Sequence, residues 1–121
     1  MQSNRVMHLV SGFLNMSYRF MRVIVFFDLP TETKVERKQH SAFRKCLLKD
    51  GFSMFQLSIY VRHCASAENA EVHILRVKSF MPPKGTVSIL CITDKQFGRM
   101  QIFYGRKEKP KLPVSAQLEL F

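Results

Sequence analysis

Carboxylates are the scarce residues of this 121-residue chain: nine Asp and Glu stand against 19 Lys and Arg, for a net charge of +10 and a pI of about 10.0. That imbalance points to a phosphate backbone or another anionic surface as partner. Cysteine is sparse too. Cys46, Cys64 and Cys91 are odd in number and lack C-x-x-C spacing, which argues against a disulfide framework or a structural zinc site. They read as small core residues in a reducing cytoplasm. His8, His40, His63 and His73 show no metal-ligand spacing either. No apolar stretch approaches the ~20 residues of a spanning helix, so no membrane partner is expected. The length suits one compact domain with a single core.

Against that background one acid stands out. Met21 to Pro30 is an apolar, β-branched run that stops on Asp28 and is broken by Pro30. Five consecutive apolar residues, Val23 to Phe27, predict a strand buried on both faces, and proline ends the ladder. A buried strand that delivers a lone acid to its exposed end, in a basic protein, suggests a metal held against a polyanion.

Downstream, Thr33 and Glu36 have capping-box spacing and open a helix that runs to about Asp50 and stops at Gly51. Val35, Ala42, Phe43, Cys46 and Leu47 are its expected inner face. Arg37, Arg44 and Lys45 fall opposite, with Lys38 and Lys49 on the flank as solvated charges and Leu48 as a solitary exposed apolar residue. Phe52 to Cys64 is too long for one strand; a kink near Gln56 would divide it into a short strand and a second from Leu57 to His63. Ser66 caps a second helix to about Phe80 with Ala67, Ala70, Ile74 and Val77 inward. Thr86 to Thr93 is a further, well-buried strand. Asp94 to Gly98 makes a short helical turn, and Met100 to Tyr104 a fifth strand.

The order is that of an α+β, ferredoxin-like βαββαβ domain with an extra C-terminal strand. Two helices cover one sheet face, and the other face, with Phe26, Tyr60 and Phe103 available, predicts a symmetric homodimer. The domain is expected over residues 16–105. Residues 1–15 read as a peripheral leader, with Met16 an alternative start. Residues 106–121 read as a basic, proline-interrupted linker followed by a strand-forming tail, Gln117-Leu118-Glu119-Leu120-Phe121.

Phe26-Phe27-Asp28-Leu29-Pro30, Glu36-Arg37-Lys38, Phe43-Arg44-Lys45, Gly51-Phe52, Gln56 to Tyr60, Lys95-Gln96-Phe97 and Tyr104-Gly105 together resemble CRISPR-associated protein two, in the version that accompanies type II systems. The resemblance covers Met16 to about Gly105. It implies a cytoplasmic homodimer that serves spacer acquisition by bridging dimers of the integrase, CRISPR-associated protein one, on a double-stranded prespacer DNA. It also implies a metal-dependent endonuclease activity on RNA or DNA, with Asp28 at the family's metal-binding position.

One Asp28 is thin for a metal, since Mg2+ uses one or two carboxylates and keeps several waters. Two copies across a twofold axis would hold one Mg2+ or Mn2+. The structural alternative is that Asp28 caps the loop at Thr31 to Thr33. For the DNA backbone the candidates are Arg22, Arg37, Arg44, Lys45, Lys84, Arg99 and Arg106, whose phosphate contacts would be independent of sequence and sensitive to salt. In the tail, Gln117, Leu118, Leu120 and Phe121 are expected to bind the integrase or the partner protomer by strand addition; a sliding-clamp peptide is the alternative.

Overall fold

The computed structural model describes residues 19–108; the expected leader and the tail residues Gln117, Leu118, Leu120 and Phe121 lie outside them. The elements are β1 (Met21–Asp28), α1 (Lys34–Lys49), β2 (Ser53–Gln56), β3 (Ile59–Cys64), α2 (Ala67–Ser79), β4 (Thr86–Thr93), a short α3 (Asp94–Gly98), β5 (Phe103–Tyr104) and β6 (Lys107–Glu108). The main sheet has the order β2-β3-β1-β4 with all neighbours antiparallel. Each helix connection therefore passes over one strand, β3 between β1 and β2 and β1 between β3 and β4, as the ferredoxin-like arrangement requires.

Both ends of α1 follow from local chemistry. Thr33 Oγ1 accepts the Glu36 N–H at 3.1 Å, and Glu36 Oε1 accepts the Thr33 N–H at 3.0 Å, an arrangement that contributes about 1 kcal/mol. Asp50 closes the helix and Gly51 leaves it at φ +91°, a conformation that suits glycine. The inward stripe is rotated by about one residue from the expected face. His40, Phe43 and Leu47 meet the sheet, while Val35 and Ala42 are exposed. Ser66 caps α2 as anticipated, and Ala70 and Val77 are buried with a residue the pattern did not mark, His73.

The pleat of β1 sorts its side chains. Val23, Val25 and Phe27 join Phe43, Leu47, Tyr60, Ala70 and Val77 in the core between sheet and helices. On the other face Ile24 packs with Val61 and Phe97 beneath α3, supported by Phe55, Ile59, Ile92 and Met100. That second cluster covers only part of the face. Phe26 of β1, in register with Ile59 of β3, and Leu90 of β4, in register with Ile24 of β1, remain exposed.

Four expectations need correction. Tyr60 is 1 % exposed and belongs to the helix-side core, because it alternates with Ile59 and Val61 across the pleat. The kink near Gln56 is a hairpin turn, Leu57-Ser58, with Ser58 at φ 63°. β4 is an edge strand with alternating exposure rather than a well-buried one, since it pairs only with β1. The fifth strand shrinks to Phe103–Tyr104 and pairs with Lys107–Glu108 in a separate two-stranded sheet, which places Phe103 off the main sheet and takes two residues from the expected linker.

Candidate metal and nucleic-acid site

Asp28 is the last residue of β1, opposite Thr86 of β4. It is exposed, and its carboxylate has no hydrogen bond or ion pair among the described residues. The strand end that presents it is held from two sides. The Phe27 N–H donates to Ser58 O at 3.0 Å, and Gly85, at φ +94°, lies so close that an added Cβ would sit 2.6 Å from Asp28 O and 2.7 Å from Leu29 Cδ2. Sequence reasoning missed Gly85, whose meaning depends on a contact 57 positions away. The signal that could have found it is a glycine immediately before a strand.

The alternative role for Asp28, capping the loop at Thr31 to Thr33, belongs to other residues. Glu36 Oε1 accepts the N–H groups of Glu32 and Thr33, while Arg37 Nη1 donates to the carbonyls of Thr31 and Glu32 at 3.1 and 2.9 Å. The Thr33 backbone N–H leads the causes that hold the Glu36 carboxyl below the usual carboxylate range. Asp28 is left facing a shallow groove of about 320 Å3, whose walls include Phe26, Leu57, Ile59 and the hydroxyl-bearing Ser58, Thr86 and Ser88. The groove therefore offers one carboxylate and hydroxyl oxygens, a donor set that fits a hard divalent cation. No group of three or more His, Cys, Asp or Glu that could hold a metal occurs among the described residues.

The seven basic candidates do not form one patch. Arg22 is the clear departure: it is 1 % exposed, and its Nε is 2.6 Å from Asp94 Oδ1 in a buried ion pair, with its guanidinium 4.7 Å above the Phe97 ring. As folded it does not reach a phosphate. Arg37 and Lys84 gather at the Asp28 end, Lys84 Nζ lying 4.0 Å from Glu36 Oε2. Arg44 is exposed on α1 with its Nε donating to Tyr60 Oη at 2.6 Å, and Lys45 is exposed beside it. Arg99 lies at the opposite end of β1, and Arg106 on the β5–β6 turn.

Two polar clusters escaped the sequence reading. One is Arg22 with Asp94. The other ties the far ends of α1, α2 and β3: His73 Nδ1 is 2.8 Å from Asp50 Oδ2, Arg76 Nη1 donates to Asp50 Oδ1 at 3.0 Å, and Arg62 Nε donates to Asp50 O at 2.8 Å. Burial pushes the Cys64 and Cys91 thiols up, in keeping with core roles, and none of the three cysteines forms a disulfide. No helix among the described residues is long and apolar enough to cross a membrane.

Comparison with known proteins identifies the family. A model of the family described as CRISPR associated protein Cas2 matches residues 21–100. The chain is 59% identical over 104 residues to the CRISPR-associated endoribonuclease Cas2 of Flavobacterium psychrophilum, covering 86% of this chain and 90% of that protein. It is 52% identical over 101 residues to the protein of the same description in Parvibaculum lavamentivorans, covering 84% of this chain and all of the relative. A third relative so described, from Ligilactobacillus salivarius, is 46% identical over 89 residues, 74% of this chain and 88% of its own length.

Proposed function

The chain belongs to the CRISPR-associated Cas2 family, and from that premise we propose that it serves spacer acquisition as a homodimeric bridge. In this reading it joins dimers of the integrase, CRISPR-associated protein one, and grips the phosphate backbone of a prespacer duplex. One observation carries the reading. Among the described residues the Asp28 carboxylate has no hydrogen bond or ion pair, and it borders an apolar end of the sheet that they leave exposed, where Phe26, Ile59 and Leu57 line the same groove. A second copy seated on that end would remove apolar surface from water and bring a second Asp28 toward the first.

The charge supports the nucleic-acid partner. Two copies carry about +20, and neutralising phosphates with Arg and Lys releases counterions with no demand on base sequence, as capture of any foreign DNA requires. Arg37, Arg44, Lys45, Lys84, Arg99 and Arg106 are the exposed residues assigned to it. Reversing Arg37 and Arg44 to glutamate should lower duplex affinity for every sequence and flatten its salt dependence; unchanged binding would remove the α1 face from the DNA surface.

A second reading, metal-dependent phosphodiester cleavage, is favoured by the endoribonuclease description of the relatives. Here Asp28 of each protomer would hold one shared Mg2+ or Mn2+, with Ser58, Thr86 and Ser88 hydroxyls nearby for bound waters. Such an ion supplies polarisation of a phosphoryl oxygen and a more acidic bound water. The chain's own part is to hold the two carboxylates on stiff strand ends through Gly85 and Ser58. Asp28→Ala, assayed for both integration and nucleolysis, separates the readings. Integration that survives while cleavage disappears upholds the bridge; loss of both sinks a purely scaffolding role.

A further inference from the structure

The end of β1 opposite Asp28 carries a larger cavity, of about 590 Å3, with Arg19, Phe20, Asp94, Lys95, Gln96 and Arg99 in its walls. Eight residue steps of extended chain from Phe20 to Asp28 put it about 26 Å from Asp28. The one acid among its described lining residues is already matched, because Asp94 Oδ1 sits 2.6 Å from the buried Arg22 Nε. Arg19, Lys95 and Arg99 thus give the cavity a cationic excess. Its aromatic wall is fixed in place: the Asp94 N–H donates to Phe20 O at 2.8 Å, and the Phe20 ring packs on His63 with centroids 5.0 Å apart. Burial, followed by the Arg22 charge, holds the His63 pKa below its ordinary value, so the ring behind Phe20 is neutral at pH 7. Phe20 itself is 41 % exposed. Gln96 uses Oε1 to accept the Thr93 N–H, leaving its amide nitrogen as a donor.

We propose that this cavity takes one unpaired nucleotide of a nucleic-acid strand, its base against Phe20 and its phosphate among Arg19, Lys95 and Arg99. A bare phosphate would have no use for the aromatic wall. A duplex would present phosphates to the three cations but keep its bases stacked away from Phe20. A ring beside clustered cations is the combination that holds single strands without sequence preference, and the volume falls in the ordinary range for small-ligand sites. The inference rests on the chain being a nucleic-acid binder and adds a second, base-dependent mode to it.

The test is fluorescence anisotropy of the full chain with three ligands: an oligothymidine of about ten nucleotides, the same backbone without bases, and a blunt duplex. The parent should bind oligothymidine more tightly than the abasic strand. Phe20→Ala should weaken oligothymidine about tenfold with the abasic strand and the duplex unchanged, and Phe20→Trp should restore it. Lys95→Gln should lower the salt slope for the single strand by about 0.7. Equal affinity of the parent for thymidine and abasic strands, or an equal loss on all three ligands in Phe20→Ala, overturns the inference. Base-dependent single-strand binding without duplex binding keeps it and removes the bridge; duplex binding without base dependence does the reverse.

Discussion

At one end of β1, Asp28 is exposed with no ion pair among the described residues; at the other, Asp94 is 5 % exposed and bound to Arg22. The same side chain serves opposite purposes in the two places. Removing Asp94 and Arg22 from water is costly, and their attraction repays the cost only because the geometry is close and the Phe97 ring lies over the guanidinium. The pair pins α3 onto the open face of the sheet. Asp28 makes no such commitment among the described residues, and the chain instead holds its backbone, through Ser58 and Gly85, so that the carboxylate borders an open groove. The contrast separates a carboxylate that is part of the fold from one that the fold presents.

The largest expected effect breaks the buried end. Asp94→Ala leaves the Arg22 charge without its carboxylate and should cost about 3–5 kcal/mol, read as a lower urea midpoint with an unchanged slope. A loss below about 1 kcal/mol would mean that the pair does not anchor α3. Next comes the backbone clamp at the exposed end. In Gly85→Ala the added Cβ meets Asp28 O and Leu29, and the residue sits in left-handed φ, so a cost of about 2 kcal/mol is expected. Gly105, at φ +65° with nothing within 4 Å of an added Cβ, provides the control. Gly105→Ala should show only the conformational part, about 1 kcal/mol. Equal losses in thermal unfolding would remove the close approach at Asp28 as a cause.

What was legible in the sequence follows from how local each signal is. β1, its terminal acid, the Thr33–Glu36 capping box and the Gly51 stop are written within a few residues, and all appear where the pattern puts them. Nothing local marks Arg22 as buried, because its partner lies 72 positions away; only the β1–β4 register and the start of α3 bring the two together. Tyr60 lies on the helix side because it alternates with Ile59 and Val61, a parity the sequence carries but that the turn at Leu57-Ser58 separates from the preceding strand. The fifth strand failed for want of a partner in the main sheet. Gly85 was invisible because a clamp is a property of two segments, not one.

The third test uses acid. His63 faces Arg22 across the β1–β3 register, and burial, followed by the Arg22 charge, depresses its pKa, opposed by Asp94. A lowered folded value means that the unfolded chain takes up the proton first, so stability rises with pH and is lost as pH falls through about 6.5 toward the folded value. Thermal unfolding between pH 7.5 and about 5.5 should therefore decline, and His63→Phe should flatten the decline. A parent whose stability is level over that window would show that His63 accepts its proton in place, and the neutral backing of Phe20 would go with it.

The smallest effect on the fold completes the comparison. Asp28→Ala removes an exposed side chain with no hydrogen bond or ion pair among the described residues, so its stability should stay within about 0.5 kcal/mol of the parent, against the several kcal/mol of Asp94→Ala. The same substitution should abolish Mn2+ uptake, measured by electron paramagnetic resonance at a stoichiometry of one ion for two chains in the parent. If the copies meet through Phe26 and Ile59 rather than through the ion, sedimentation of Asp28→Ala should still report a dimer. A monomer would mean that the metal assembles the pair, and a destabilised variant would mean that Asp28 has a structural partner after all. Uptake of one ion per chain would show that a single groove suffices, which would end the case for a shared site while leaving the distinction between the two carboxylates intact.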